Sequence, residues 1–215
     1  MSNLIPELSF KDIEKGDSFS IDILKEALSD HGFFSITNHG LSKDLINNCY
    51  KSSIDFFNLD FETKNTYSSV GSKGARGYTP KGIETAVGEK IADQKEFWHH
   101  GPIVDETYDD KIPENIVINE VEDFNKHFDE LYKELHQIGT RVLKVIALSL
   151  GLDHNYFDHW VEKGNSLLRS IHYPPVDSQS NPHRARAHED INLITLLIGA
   201  EEGGLEVLNK DGSWI

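Results

Sequence analysis

The chain is 215 residues long, which is enough for one large domain or two small ones with a buried core. Its hydrophobic share of 38% is that of a folded protein, not a disordered one. The net charge of −15 argues against binding of nucleic acids and of anionic membranes, which attract basic faces. A single cysteine, Cys49, excludes an internal disulfide framework and a cysteine-rich zinc site. The sequence has no signal-type apolar block and no bilayer-spanning run, so a cytoplasmic protein is expected.

The first part of the chain alternates predicted helices with one strand. Residues 22–30 predict a short helix that ends near Gly32, and residues 33–37 predict a strand. Ser42 is placed to cap a second helix, because apolar residues recur at helical spacing from 45 to 57. Residues 68–92 are rich in Gly, Ser and Lys and are predicted to be a loop.

A long amphipathic helix is the clearest predicted element. Apolar residues recur every three or four positions from Val121 to Val145, Ser149 continues the spacing, and Gly151 follows. This spacing predicts a helix whose apolar stripe faces the core. A second helix is expected to begin at Asp153 and to end near Gly164.

Beyond residue 166 the pattern becomes strand-like. Segments 166–173, 187–198 and 205–208 predict strands, and residues 209–212 predict a turn. The order from helix-rich to strand-rich predicts an α+β fold. Only three residues follow that turn, whereas strands usually contain about five or six. We therefore expect the natural domain to continue beyond residue 215, the alternative being a short protein whose sheet edge is covered by a partner.

Two His-x-Asp sequences are candidates for metal binding. His127 and Asp129 fall in the long predicted helix, where residues two apart point to different faces. His188 and Asp190 fall in a predicted strand, where residues two apart share a face. Together with a distant histidine, such a pair forms the 2-His-1-carboxylate triad of non-haem iron sites. A pair that only caps a turn has the same spacing, so spacing alone leaves both interpretations open.

Longer motifs resemble one family in order along nearly the whole chain. Segments 188–197 (HEDINLITLL), 203–207 (GGLEV) and 212–215 (GSWI) resemble the iron-binding strands of the isopenicillin N synthase-like dioxygenases. Segment 168–175 (LRSIHYPP) resembles the motif that precedes those strands. The amino-terminal domain of the family is matched by Gly32-Phe33-Phe34, Asn38-His39-Gly40, Phe56-Phe57, Arg76-Gly77-Tyr78 and Asp93-Gln94-Lys95-Glu96-Phe97. These motifs are most similar to those of bacterial members of the family, which belongs to the non-haem Fe(II), 2-oxoglutarate-dependent oxygenases.

The resemblance implies a double-stranded β-helix (jelly-roll) core. Residues 1–115 would form the amino-terminal domain, 116–165 a helical support with the long helix, and 166–215 the first half of the jelly roll, incomplete at its C-terminus.

The resemblance also implies a set of site residues. Fe(II) would be held by His188 and Asp190, with O2 as oxidant. The hydroxyl of Tyr173 would contact the carboxylate of the co-substrate 2-oxoglutarate. Arg186 lies two residues before His188, so the two side chains can share a face of the predicted strand. Arg186 then either places its positive charge near an anionic acid or lies at the rim of the site.

Two departures from the family stand out. Plant-type members have an asparagine where this chain has Ile171, which leaves one polar contact to the co-substrate in doubt. The second ligand histidine of the family lies roughly fifty residues after the aspartate, followed by an Arg-x-Ser that binds the distal carboxylate. The 25 residues after Asp190 contain no histidine, so the chain alone is expected to be inactive.

Other histidines are weaker candidates for the missing ligand. His172 precedes the motif tyrosine on a strand and should face away from it. His183 lies in the loop before the predicted metal strand. His99 and His100 either line a substrate cavity or form a packed or solvated pair, and Arg169 either pairs with an acid or contacts the co-substrate.

The expected function is an oxidoreductase that hydroxylates, desaturates or cyclises a small molecule and releases succinate and CO2. The alternatives are a non-catalytic, truncated binding protein of the same fold, or a family member that does not use 2-oxoglutarate. A metal hydrolase that uses His188 and Glu189 is disfavoured, because neighbouring strand residues point to opposite faces.

Overall fold

The structure, a computed structural model, describes residues 5–68, 74–84, 92–175, 185–199, 203–210 and 212–215. It contains both helices and strands, which confirms the predicted mixture. In chain order the elements are β1 (Glu7–Ser9), α1 (Phe10–Glu14), α2 (Ser18–Asp30), β2 (Ser35–Thr37), α3 (Lys43–Phe57), α4 (Phe61–Thr66), β3 (Gly77–Thr79), β4 (Glu96–His100), α5 (Phe124–Ser149), α6 (Asp158–Val161) and β5 (Leu168–His172). Across these described ranges, no helix is long and apolar enough to cross a membrane.

The chain divides into two compact units. The first unit contains Met1–Gly40, Gln137–Glu162 and Ile194–Ile215, and the second contains Leu41–His136 and Lys163–Leu193. Each unit therefore combines segments that are far apart in sequence. The three-part division made from the sequence stays a prediction.

In the first unit, β1 and β2 form a parallel pair, and apolar side chains of α1 and α2 are buried. The guanidinium of Arg141 in α5 lies 4.6 Å from the ring centroid of Phe10. It donates hydrogen bonds from Nε and a terminal nitrogen to the carboxylate of Glu14, at 2.7 and 2.5 Å. This forked contact fixes the arginine over the aromatic ring.

The two predicted helix termini agree with the structure. Helix α2 begins at Ser18, earlier than predicted, because the side chain of Asp17 accepts a hydrogen bond of 2.9 Å from the N–H of Ser20. The helix is followed by Gly32 at φ +73°, a left-handed conformation that favours glycine. The predicted N-cap Ser42 is confirmed, since its hydroxyl accepts a hydrogen bond from the first turn of α3.

The core of the second unit is largely aromatic. Its antiparallel sheet has the order β3–β4–β5. Helix α3 contributes Phe56, which is fully buried and lies 5.1 Å, centroid to centroid, from the ring of Trp98 in β4. The buried members of this core are Phe56, Phe57, Tyr78, Trp98, Ile118, Val121, Phe124 and Phe128. One face of β4 therefore packs on helices α3 and α5.

The single cysteine also lies in this unit. Cys49 is buried in α3, and its thiol donates a hydrogen bond of 3.1 Å to the backbone carbonyl of His127. Burial raises the pKa of the Cys49 thiol to about 12, and the charge of Glu130 adds to the effect. The side chain thus behaves as a small core residue.

The predicted loop at 68–92 is wrong at residues 77–79, which form strand β3. The glycine-rich composition of this segment is typical of a loop, yet Tyr78 is buried in the core. Gly77 has a φ of +79° and closely approaches the carbonyl of Tyr67. Here glycine permits close packing between backbones, and it does not mark a loop.

Replacing Gly77 by alanine is expected to lower the free energy of unfolding by about 2–4 kcal/mol. The added Cβ would collide with the carbonyl oxygen of Tyr67 and lie 2.6 Å from Cδ1 of Ile116, in an unfavourable φ region. Urea unfolding measures the effect. Gly82→Ala is the matched control, because its φ is +80° but nothing lies within 4 Å of its new Cβ. Equal losses in both variants would show that the close approach at Gly77 contributes nothing.

The long helix is confirmed as α5, which ends two residues before Gly151. The next helix, predicted from Asp153 to near Gly164, is wrong in length, because α6 covers only Asp158–Val161. The carboxylate of Asp153 accepts a hydrogen bond of 2.9 Å from the N–H of Asn155. This local turn competes with helical hydrogen bonding and delays the start of the helix.

The strand predicted at 187–198 is also wrong, since described residues 185–199 contain no strand. Exposure nevertheless alternates along residues 193–199, as in an extended segment. Within the first unit, Ile194 and Leu196 lie beside Gly139 of α5, where an added Cβ would be 3.4 Å from Leu196. The apolar alternation therefore reflects packing on a helix, without the hydrogen-bonded neighbour that defines a strand.

The residues on either side of the predicted turn at 209–212 form a hairpin, while position 211 lies outside the described residues. The backbone groups of Val207 and Ile215 exchange hydrogen bonds of 2.8 and 3.0 Å, and the N–H of Asn209 donates to the carbonyl of Ser213 at 2.8 Å. Leu208 and Trp214 form the bridge between its two arms. The three residues after the turn are thus sufficient for a short antiparallel pair.

Candidate functional site

The candidate metal ligands His188 and Asp190 lie close together. Nε2 of His188 is 3.8 Å from Oδ1 of Asp190, and both side chains are about half exposed. Two ligands bound about 2.1 Å from one ion at right angles would be roughly 3 Å apart. A small rotation of either side chain would therefore let both reach the same cation.

The backbone selects the tautomer of His188. Its Nδ1 lies 2.8 Å from the carbonyl oxygen of Arg186, which has no proton to give, so Nδ1–H is the donor. A neutral ring then has its lone pair on Nε2, on the side of Asp190. Ligand histidines in metal sites commonly have this second hydrogen bond to a backbone carbonyl. The geometry fits a cation such as Fe(II), with two ligands from this pair.

A third ligand does not join the pair within the described ranges. No three His, Cys, Asp or Glu side chains there form a group that could hold a metal ion. The histidine at position 183 lies outside the described residues. The roles of His188 and Asp190 thus stay a prediction.

The predicted co-substrate residue Tyr173 follows β5 directly and is 37% exposed. Exposure alternates here, with Arg169, Ile171 and Tyr173 more exposed than the residues between them. The three side chains therefore share one face of the strand. Arg186 is half-buried, and its contact to His188 is through the backbone.

His172 points to the opposite face from Tyr173, as the strand alternation predicts. Its Nδ1 lies 2.8 Å from Oε1 of Glu96, and its ring stacks on Phe57 at 5.2 Å between centroids. Glu96 and Lys64 are both nearly buried, and the ammonium of Lys64 lies 2.9 Å from Oε2 of Glu96. The hydroxyl of Tyr78 donates a further hydrogen bond to Glu96.

These contacts set the ionisation of the buried carboxylate. Burial alone would raise the pKa of Glu96, but hydrogen bonds from Tyr78, Lys64 and His172 outweigh it and hold the pKa below its ordinary value. The sequence showed Glu96 only as part of a family-like motif. Lys64 is 32 residues away, and no sequence signal connects the two.

His99 and His100 are a packed pair. Nδ1 of His99 donates to the carbonyl of Gly74 at 2.6 Å, and Nε2 accepts from Nε of Arg169 at 2.6 Å. Burial lowers the pKa of His99 to about 4, and the cation of Arg169 contributes. His100 is fully buried, and its Nε2 lies 2.7 Å from Oδ1 of Asp129.

In the part of the chain that the structure describes, the two side chains of the second His-x-Asp sequence contact different residues, as expected for residues two apart on a helix. Nδ1 of His127 lies 2.8 Å from the hydroxyl of Ser52, while Asp129 contacts His100. Their side chains therefore serve separate contacts in the second unit.

Two family models match the chain. A model described as the N-terminal region of the non-haem dioxygenases in morphine synthesis matches residues 5–120, more than half of the chain. The 2OG-Fe(II) oxygenase superfamily matches residues 164–215. The two matches together include both the β3–β4–β5 sheet and the His188–Asp190 pair.

Individual proteins agree with these matches. A 2-oxoglutarate-dependent dioxygenase of Didymella fabae is 28% identical over 213 residues, covering 91% of this chain and 64% of that protein. This chain covers 61% of the length of a second relative, a 2-oxoglutarate-dependent dioxygenase of Acremonium sp. The chain thus spans about three fifths of the length of these curated relatives.

Solved structures show the same relationship. A 2OG-Fe(II) oxygenase family protein of Caulobacter crescentus has 39% identity and a TM-score of 0.86, covering 100% of this chain and 70% of that one. A full-length Neurospora crassa protein, crystallised in complex with alpha-KG, has 28% identity and a TM-score of 0.81, covering 98% and 68%. The same protein has been crystallised with alpha-KG and thymine. The chain therefore belongs to the non-haem Fe(II), 2-oxoglutarate-dependent oxygenase family.

Proposed function

We propose that this chain is part of an oxygenase that oxidises a small molecule while 2-oxoglutarate is converted to succinate and CO2. The substrate is hydroxylated, desaturated or cyclised. His188 and Asp190 are two of the iron ligands in this proposal, and Tyr173 and Arg186 contact 2-oxoglutarate. The observation that carries the proposal is the orientation of His188, whose Nδ1–H is bound to a carbonyl while Nε2 faces a carboxylate.

Each residue has a distinct part in the proposed site. His188 contributes a neutral nitrogen, and Asp190 contributes a negative oxygen that offsets the charge of the cation. Bound iron would supply the activation of O2 that oxidises the substrate. Tyr173 donates its hydroxyl proton in a hydrogen bond to a 2-oxoglutarate carboxylate, and Arg186 supplies a positive charge to the same anion.

Three further features belong to this proposal. Residues 166–215 form the first part of a jelly-roll core, and the protein acts in the cytoplasm. The third iron ligand is a histidine that is not among the 25 residues after Asp190, where the sequence has none.

Metal binding tests the proposed ligands directly. Calorimetric titration of the 215-residue chain with Co²⁺, a redox-stable substitute for Fe(II), should detect weak binding. His188→Ala and Asp190→Ala should each lower the association constant by about tenfold or more. His154→Ala is the matched control, because this histidine is also exposed and should change nothing.

Two results would contradict the proposal. Co²⁺ binding that is unchanged in both ligand variants would exclude the His188–Asp190 pair and favour a non-catalytic binding protein. Succinate formation by the 215-residue chain with Fe(II) and 2-oxoglutarate would contradict the requirement for a further histidine.

The proposed contact of Tyr173 with 2-oxoglutarate has its own test. The variant Tyr173→Phe should bind 2-oxoglutarate more weakly. Unchanged binding would favour a family member that does not use this co-substrate.

A further inference from the structure

One face of the β4–β5 pair carries two polar side chains, His99 and Arg169, that have no role in the proposed iron site. In the antiparallel register His99 lies opposite Arg169, and Phe97 lies opposite Ile171. Phe97 and His99 are buried, whereas the side chain of Arg169 is 37% exposed. We call Phe97, His99, Arg169, Ile171 and Tyr173 the arginine face.

The guanidinium of Arg169 is held in place from below. Its Nε donates a hydrogen bond of 2.6 Å to Nε2 of His99, and its central carbon lies 4.5 Å from the ring centroid of Phe97. His99 itself is fixed by its hydrogen bond to the carbonyl of Gly74. The two outer nitrogens of Arg169 are thereby presented as a rigid fork, the arrangement that binds a carboxylate through two parallel hydrogen bonds.

The present partner of that fork is weakly held. Glu84 lies 3.4 and 3.5 Å from the outer nitrogens of Arg169, longer than a charge-assisted hydrogen bond. The same carboxylate lies only 2.7 Å from Nζ of Lys95, which is therefore its stronger partner. A ligand carboxylate can replace Glu84 at Arg169 while Glu84 keeps its contact with Lys95.

Cations lie beside the fork, although the whole chain has a net charge of −15. Burial keeps His99 neutral, because its pKa is lowered to about 4. Among the described residues, Lys95 forms ion pairs with Glu84 and Asp93, and the charge of Arg76 acts on His99. These positive groups favour the approach of an anion to Arg169.

The arginine face also includes the proposed co-substrate tyrosine. Arg169, Ile171 and Tyr173 are spaced two residues apart on one side of β5 and its continuation. At about 3.3 Å per residue, the backbone positions of Arg169 and Tyr173 are roughly 13 Å apart. This separation fits a small organic molecule that lies along the strand, with the apolar side chain of Ile171 between its two ends.

We propose that the substrate is a small organic acid, and that Arg169 binds its carboxylate on the arginine face. The inference deepens the proposed function and rests on it, because Tyr173 is the residue assigned there to 2-oxoglutarate. His99 acts as a positioning residue that fixes the guanidinium. The carboxylate is the end of the substrate farthest from the co-substrate, so oxidation occurs toward the apolar end.

Binding of simple acids to the 215-residue chain tests the proposal. The probes are benzoate, 3-phenylpropanoate and hexanoate, each compared with its uncharged amide by ligand-observed NMR. The chain should bind at least one acid about tenfold or more tightly than its amide. Arg169→Gln should abolish that preference, Arg169→Lys should restore part of it, and Glu84→Gln should strengthen acid binding, which a purely structural role of Arg169 would not produce.

Arg141→Gln is the matched control, because Arg141 also forks onto a glutamate and lies over a phenylalanine ring. Acid binding should be unchanged in it. The proposal is overturned if no acid is preferred over its amide, or if Arg169→Gln leaves the preference intact while circular dichroism shows a native fold. His188→Ala separates the two proposals, because it should weaken Co²⁺ binding and leave acid binding unchanged.

Discussion

Replacing Phe56 by alanine is expected to lower the free energy of unfolding by about 3–5 kcal/mol. The side chain is fully buried, and its ring contacts those of Phe57, Tyr67, Tyr78 and Trp98 at centroid distances of 5.1 to 6.2 Å. All four pairs have the edge-to-face geometry that is favourable between aromatic rings. Alanine would leave a cavity that rigid aromatic neighbours cannot fill. Urea unfolding followed by circular dichroism measures the loss.

The control for this prediction is Phe61→Ala. Phe61 is 54% exposed, so its removal should change the free energy of unfolding by no more than about 0.5 kcal/mol. A loss below about 1.5 kcal/mol for Phe56→Ala would mean that the second unit can repack around the missing ring. The aromatic cluster would then not be the main source of stability in this unit.

A loss of similar size, about 3–5 kcal/mol, is expected for Glu96→Ala. The substitution leaves the ammonium of Lys64 nearly buried without its carboxylate, and it also removes the acceptor of the hydrogen bonds from Tyr78 and His172. A buried charge that loses its partner is far more destabilising than an apolar pair of the same size. The double variant Lys64→Met, Glu96→Leu should therefore recover much of the loss.

Asp55→Ala provides the matched surface control. Asp55 is 2.7 Å from Lys51 on an exposed helix face, where an ion pair contributes about 0.5 kcal/mol or less. If the double variant is no more stable than Glu96→Ala, the loss does not come from an uncompensated lysine. A structural role of the glutamate in shaping β4 would then be the better explanation.

The dependence of stability on pH provides a separate check on Glu96. Because its pKa is lower in the folded state than in the unfolded state, the ionised carboxylate stabilises the fold fully above the ordinary glutamate pKa of 4.5. This contribution is lost as the pH falls through the lowered, folded-state pKa. Glu96→Ala should therefore show a smaller decrease in unfolding free energy below pH 4.5 than the parent chain.

Local patterns in the sequence predicted the longer helices α2, α3 and α5, missed the short helices α1 and α4, and predicted the strands unevenly. The N-cap Ser42 and the glycine at 151 mark helix ends through contacts within a few residues, so the sequence contains what is needed. Strand β3 was missed because Gly77 supports packing on Tyr67, a contact that composition does not reveal. The strand expected at 187–198 depended on a neighbour for its hydrogen bonds, which an apolar alternation does not guarantee.

The candidate site was predictable in part. The spacing of His188 and Asp190 indicated that the two side chains can converge, and they lie 3.8 Å apart although the segment is not a strand; their role as metal ligands stays a prediction. The tautomer of His188 depends on the carbonyl of Arg186, a contact that only the three-dimensional structure reveals. The arginine face could not be predicted from the sequence, because His99 and Arg169 are 70 residues apart and are brought together only by the register of β4 and β5.

Because Cys49 is buried, chemical modification of its thiol can be used to measure local unfolding of the protein around it. Because burial raises the pKa of Cys49 to about 12, very little of the reactive thiolate is present near neutral pH. Alkylation of the native protein is therefore suppressed both chemically and sterically, and it proceeds when α3 separates from the backbone of His127. Labelling rates thus report local unfolding of the second unit, and a cysteine introduced at an exposed position is modified selectively without removal of the native one.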